Sequence, residues 1–157
     1  MAIAFLIILV LLSAQFRSLL QPLIIAFTIP LAFVGVVFGL MITRVPFGMM
    51  AFFGLVALTG VVVNDAIVLN SHINDLRKEG LPFTDAIIQG GKHRLRPIIL
   101  TTVTTIAGMI PLTLDFVGGA EYWRPLAVSI IFGLGMATFL TLIIVPVLYS
   151  LFVRDKQ

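Results

Sequence analysis

Residues 47–69 read FGMMAFFGLVALTGVVVNDAIVL, an apolar run whose strongly polar members are the adjacent Asn64 and Asp65 near its end. The run exceeds the ~18 residues at which a bilayer-spanning helix is indicated. It is too long for a barrel strand and lacks period-two alternation, so it reads as a transmembrane helix. The acid is the anomaly. An ionised Asp at a bilayer midplane costs about 2.5 to 3.5 kcal/mol on insertion scales, and side chains of that kind usually have a function there.

Outward from this run the sequence repeats the pattern. The chain has 157 residues, 60% hydrophobic and 11% charged, with a mean hydropathy of +1.17; an ordinary soluble domain carries about 25% charged residues. The fold class is all-α integral membrane, with five spans at residues 1–16, 19–42, 47–69, 98–114 and 126–152, joined by one sizeable loop at 70–96. Met1 to Phe16 covers only ~24 Å as a helix. It has neither the basic lead nor the small-residue cleavage site of a signal peptide, so it reads as the remnant of a longer helix. Pro30, Pro111 and Pro146 are tolerable where neighbouring helices satisfy the freed carbonyls.

The basic residues set the topology. With loop 70–96 in the cytoplasm, that side holds Arg17, Arg77, Lys78, Lys92, Arg94, Arg96, Arg154 and Lys156, and the other side Arg44 and Arg124. This eight-to-two division puts the C-terminus in the cytoplasm. The net charge of +3 is therefore a matter of topology and not a nucleic-acid signal. In the loop, Gly80 and Pro82 stop the third helix, Phe83 to Ile88 form one or two interfacial turns with Thr84 as cap, and Gly90 and Gly91 release the chain into the basic run KHRLRP.

Asp65 is the one acid inside a span. Desolvation disfavours a carboxylate's charged form, so such a group can take a proton from one side and release it to the other. Alternatively it is a structural hydrogen-bonder or a partner for Arg94; the rule that intramembrane acids are functional favours the first reading. Asn64 points about 100° away, toward the face of Gly60, Val68 and Ser71, and suits an interhelical hydrogen bond. In TTVTT, Thr101, Thr104 and Thr105 share a face; they either extend a proton wire or bond back to their own helix carbonyls, the commoner behaviour. His72 lies two turns beyond Asp65, as a relay or as a water-facing surface group. GVVFG, from Gly35 to Gly39, and the small residues Gly133, Gly135 and Ala137 suit close helix packing. Two histidines without cysteine give no metal-ligand pattern. There is no nucleophile elbow or phosphate loop, so no enzyme and no cofactor are expected.

Three motifs in order, GVVVNDAIVL, GGKHRLRPIILTTVTTIAGMIPL and WRPLAVSIIFGLGMATFLTLIIVPVLY, resemble the resistance-nodulation-division (RND) efflux permeases over essentially the whole chain. The resemblance implies the C-terminal segment, helices eight to twelve, of a twelve-helix bundle made of two six-helix repeats. It implies a homotrimer in the inner membrane of Gram-negative bacteria, working with a periplasmic adaptor and an outer-membrane channel to export drugs or other amphiphilic solutes in exchange for protons. Arg94 and Thr101 match the family's arginine and threonine of the proton relay. The drug-exporting branch usually has Lys at the position of Asn64 and Asn at that of Asp65, whereas this chain moves the polar charge one position along. The metal-exporting branch has Glu at the position of Asn64, which weighs against metal ions as substrate. The resemblance thus makes Asp65 and Thr101 the leading proton-relay residues, with Asn64 and Arg94 as polar partners. The missing repeat implies a chain incomplete and inactive alone. Different expectations are a standalone membrane scaffold that assembles with other transporter chains, or a metal-ion or protein-translocation member of the same superfamily.

Overall fold

The computed structural model describes residues 25–114 and 119–152. The expected span 1–16 and the beginning of the second, 19–24, lie outside the described residues. What is described is entirely helical: α1 (Thr28–Thr43), α2 (Met49–Lys78), α3 (Phe83–Thr113), a 3-10 turn (Ala120–Tyr122) and α4 (Arg124–Phe152). Three of the helices, α2, α3 and α4 over Arg124–Ile144, are long and apolar enough to cross a membrane, and α1 is a shorter apolar helix.

Local chemistry sets the element ends. Arg44 turns left-handed at φ 54°, and the Val45 N–H closes onto the Leu40 carbonyl at 3.1 Å, which ends α1. Such a conformation costs a non-glycine residue roughly 1–2 kcal/mol, so the packing on either side must hold it. Gly80, at φ 90°, and Pro82 break α2 from α3. The Arg77 guanidinium lies 5.2 Å from the centre of the Phe83 ring and ties the two helix ends together across the turn.

Within the connection at 70–96 the third helix runs on to its expected stop at Gly80 and Pro82, but the stretch from Phe83, expected as one or two interfacial turns with Thr84 as cap and a glycine release, is continuous helix. α2 runs to Lys78, and α3 begins at Phe83 and passes without a break through Gly90, Gly91 and Pro97. The physical reason is that hydropathy reports where a helix leaves apolar surroundings, whereas its hydrogen bonds end only where the backbone is forced to turn. Gly90 is not a release point: a Cβ placed there would lie 2.6 Å from Ile73 Cγ1, so the glycine allows α3 to approach α2. Leu69, Ile73 and Ile98 form a buried cluster at this end, with Phe83, Ile87 and Leu142 against it. At 1.5 Å per residue α2 and α3 are each about 45 Å long, beyond the ~30 Å hydrocarbon core.

α4 packs against all three other helices. The main core joins Val36 and Leu40 of α1, Leu58 and Val62 of α2, and Val128 and Leu134 of α4. The GVVFG pattern lies on the α1–α4 seam. A Cβ on Gly35 would lie 2.6 Å from Met136 Cβ and 2.8 Å from the Phe132 carbonyl oxygen, and one on Gly39 would collide with the Phe132 ring. Gly133 faces back toward Val36 and Leu58. Small residues thus bring backbones together where lipid offers no hydrophobic drive for association. Large apolar side chains such as Phe38, Met41, Leu100 and Phe139 point outward.

Candidate functional site

One acid and several buried hydroxyls come together where α2, α3 and α4 meet. Asp65, half-buried on α2, lines a cavity of about 10 Å³ together with Val62, Ile98 of α3, and Thr138 and Thr141 of α4. Next to it, the buried hydroxyls of Thr102 and Thr138 share a hydrogen bond of 2.9 Å across the α3–α4 interface. Thr141 is 3% exposed, and its Oγ1 has no hydrogen-bond partner among the described residues.

The four residues expected in the relay do not all come together here. Asp65 faces the junction. Asn64 is exposed, as the 100° step between neighbours on a helix requires. Thr101 is exposed too, and its hydroxyl donates to the Pro97 carbonyl at 2.9 Å. Thr104 and Thr105 likewise bond back, to Leu100 and Thr101 at 2.9 and 2.8 Å, which is the ordinary behaviour of helical threonines. Arg94 forms no ion pair with Asp65 among the described residues. It sits beside His93, whose ring nitrogen is 3.4 Å from that of His72. His72 lies seven residues beyond Asp65, about 10 Å along the axis of α2. The Arg94 Nε is buried without an acceptor from the described protein groups.

Thr102, Thr138 and Thr141 are the residues that sequence reasoning missed. A signal existed: Thr138 and Thr141 stand at i and i+3 in an otherwise apolar span, the spacing of one helix face. Among the described residues no three His, Cys, Asp or Glu side chains gather into a metal-binding group.

A carboxylic acid in an apolar helix, facing a polar junction between helices, marks a candidate functional site of a membrane protein. The chain is a member of the AcrB/AcrD/AcrF family, the RND permeases, whose profile matches residues 1–153. It is 38% identical over 155 residues to the cobalt-zinc-cadmium resistance protein CzcA of Cupriavidus metallidurans, covering 99% of this chain and 15% of that one. It is 36% identical over 149 residues to the multidrug resistance protein MdtC of Proteus mirabilis, covering 94% and 14%. The crystal structure of a heavy metal efflux pump superposes with a TM-score of 0.89 at 31% identity, covering 98% of this chain and 16% of that chain. The chain therefore spans about 15% of the length of the curated relatives it matches, and those relatives are named for metal and for drug resistance alike.

Proposed function

We propose that this chain is part of the proton-coupling membrane bundle of an RND efflux permease. In this reading it contributes five crossings of the inner membrane with the C-terminus in the cytoplasm. The whole transporter acts as a trimer with a periplasmic adaptor and an outer-membrane channel, and exports drugs or other amphiphilic molecules rather than performing catalysis. The observation that carries the reading is Asp65: a carboxylic acid in an apolar helix, half-buried and turned toward a polar three-helix junction.

The mechanism follows from the environment. A charged Asp65 polarises the hydroxyls around it and keeps α2, α3 and α4 in one packing. Protonation removes that charge, and the junction repacks. Each proton entering the cell supplies about 2.3 kcal/mol per 100 mV of membrane potential, a sum comparable with the energy of one or two packing contacts. The outward faces of Asn64 and Thr101 support contact with the rest of the permease, because polar groups left against lipid are costly.

The test is Asp65→Asn in the intact transporter. Proton-driven export should fall to background while the protein still reaches the membrane; wild-type export by this variant would defeat the reading. The likeness to CzcA and to a heavy metal efflux pump favours a second reading, export of divalent metal ions. Cells lacking their own pumps and expressing the intact protein distinguish the two: protection against dyes and detergents supports the amphiphile reading, protection against zinc, cobalt or cadmium the metal reading.

A further inference from the structure

We propose that one ordered water is held in the cavity between Asp65 and Thr141, and that Thr141 and Thr138 are therefore positioning residues for the membrane acid. Three independent observations meet at this place.

The first is an unexplained hydroxyl. Threonines in this bundle normally satisfy their hydroxyls on their own helix: Thr59 donates to Leu55, Thr101 to Pro97 and Thr105 to Thr101, at 2.8, 2.9 and 2.8 Å. Thr141 does not. It is 3% exposed and its Oγ1 has no partner among the described residues, a state that is costly for a buried polar group unless something else supplies the bond.

The second is space. The cavity that Thr141 lines has a volume of about 10 Å³, at the lower limit of what one water needs and too little for a larger solute. The third is chemistry. A buried water needs two to four polar partners, and three of the five residues that line the cavity carry one: Asp65, Thr141 and Thr138. Thr138 keeps capacity for this role. A hydroxyl has one donor and two acceptor sites, so whichever way the Thr102–Thr138 hydrogen bond runs, Thr138 retains a site for the water. The rest of the wall is Val62 and Ile98, with no second charged side chain among the described residues.

The arrangement connects α4 to Asp65. The carboxylate on α2 reaches through the water to Thr141 and Thr138, and through Thr138 to Thr102 on α3. A change of charge on Asp65 is thereby felt by both neighbouring helices through hydrogen bonds. The water site itself does not depend on the transport reading; its consequence for coupling rests on Asp65 being the proton-carrying acid.

The test uses the intact protein in lipid. A structure at a resolution that shows ordered solvent is expected to place a water within hydrogen-bond distance of Thr141 Oγ1 and an Asp65 oxygen. The carboxyl band of Asp65, assigned by its loss in Asp65→Asn, should shift in Thr141→Val, which removes the hydroxyl at nearly constant shape. It should return to its wild-type position in Thr141→Ser. An Asp65 band unchanged in Thr141→Val, or a Thr141 hydroxyl bonded to the Ala137 carbonyl with no water beside it, would overturn the proposal. Transport by Asp65→Asn at the wild-type rate would remove the coupling reading and leave the water and the band shift standing, so the two failures are separable.

Discussion

Replacing Gly35 by alanine tests the packing argument most directly. The new methyl carbon would lie 2.6 Å from Met136 Cβ, 2.8 Å from the Phe132 carbonyl oxygen and 3.0 Å from Gly133 Cα. Carbon atoms rest at about 3.5 to 4.0 Å, so the closest contact is roughly 1 Å too short. None of the three atoms is the free end of a flexible side chain: two are backbone and the third is bound directly to it. Relief therefore requires α1 and α4 to part by something near that distance, and a gap of 0.5 to 1 Å already forfeits a quarter to a half of each dispersion contact along the seam. Overpacking of this kind costs about 1 to 3 kcal/mol, or a factor of roughly 5 to 150 in the folding equilibrium. The control is Gly108→Ala on α3, where a Cβ meets nothing within 4 Å and alanine favours the helix by up to about 1 kcal/mol. Reversible unfolding of both variants in mixed micelles, followed by circular dichroism, gives the comparison. If Gly35→Ala unfolds at the same denaturant concentration as Gly108→Ala, the α1–α4 seam is not packed as described.

Other consequences can be measured separately. A Cβ on Gly90 would lie 3.6 Å from Ile73 Cβ, within the ~3.5 to 4.5 Å span of disulfides, so the Ile73→Cys/Gly90→Cys pair in this cysteine-free chain should close on mild oxidation. Failure to do so, seen as an unchanged thiol count, would mean that α3 does not begin as helix beside α2. Thr102→Val and Thr138→Val should each destabilise the bundle and show a coupling near 0.6 and at most about 1.7 kcal/mol in a double-mutant cycle; strictly additive effects would deny their hydrogen bond. Asn64→Leu and Thr101→Val should leave the stability of this chain within about 0.5 kcal/mol of wild type, because both positions are exposed here, yet should lower export when the intact transporter is assayed. A large loss of stability in the chain by itself would place these side chains inside its own core.

How much of this was legible depended on the range of the interaction. The helical class, the Gly80–Pro82 break and the close-packing role of Gly35 and Gly39 all follow from composition or from spacings within a single helix, and local rules reach that far. The different directions of Asn64 and Asp65 were legible for the same reason. The polar end of α2 up to that break was legible too, but the unbroken helix through Gly90 and Gly91 was not. Gln89 to Arg96 is polar enough to leave lipid, and nothing in hydropathy distinguishes a polar helix from a polar loop. The meeting of Thr102 with Thr138 spans 36 positions, and that of His72 with His93 spans 21. Which face of α4 turns toward Asp65 is decided by the glycine seam on its other side, a tertiary fact that no single-helix periodicity contains.

That seam also divides the bundle mechanically. Along it Gly35 and Gly133 bring α1 and α4 nearly backbone to backbone, with the Phe132 ring set against Gly39, so the pair is closely packed. α3 is anchored differently: its buried residues are only Ala86, Gly90, Ile98 and Thr102, spread thinly over a long rod. Strain raised at the three-helix junction is therefore expected to move α3 before the α1–α4 pair, and with α3 the basic stretch Lys92, Arg94 and Arg96 within it.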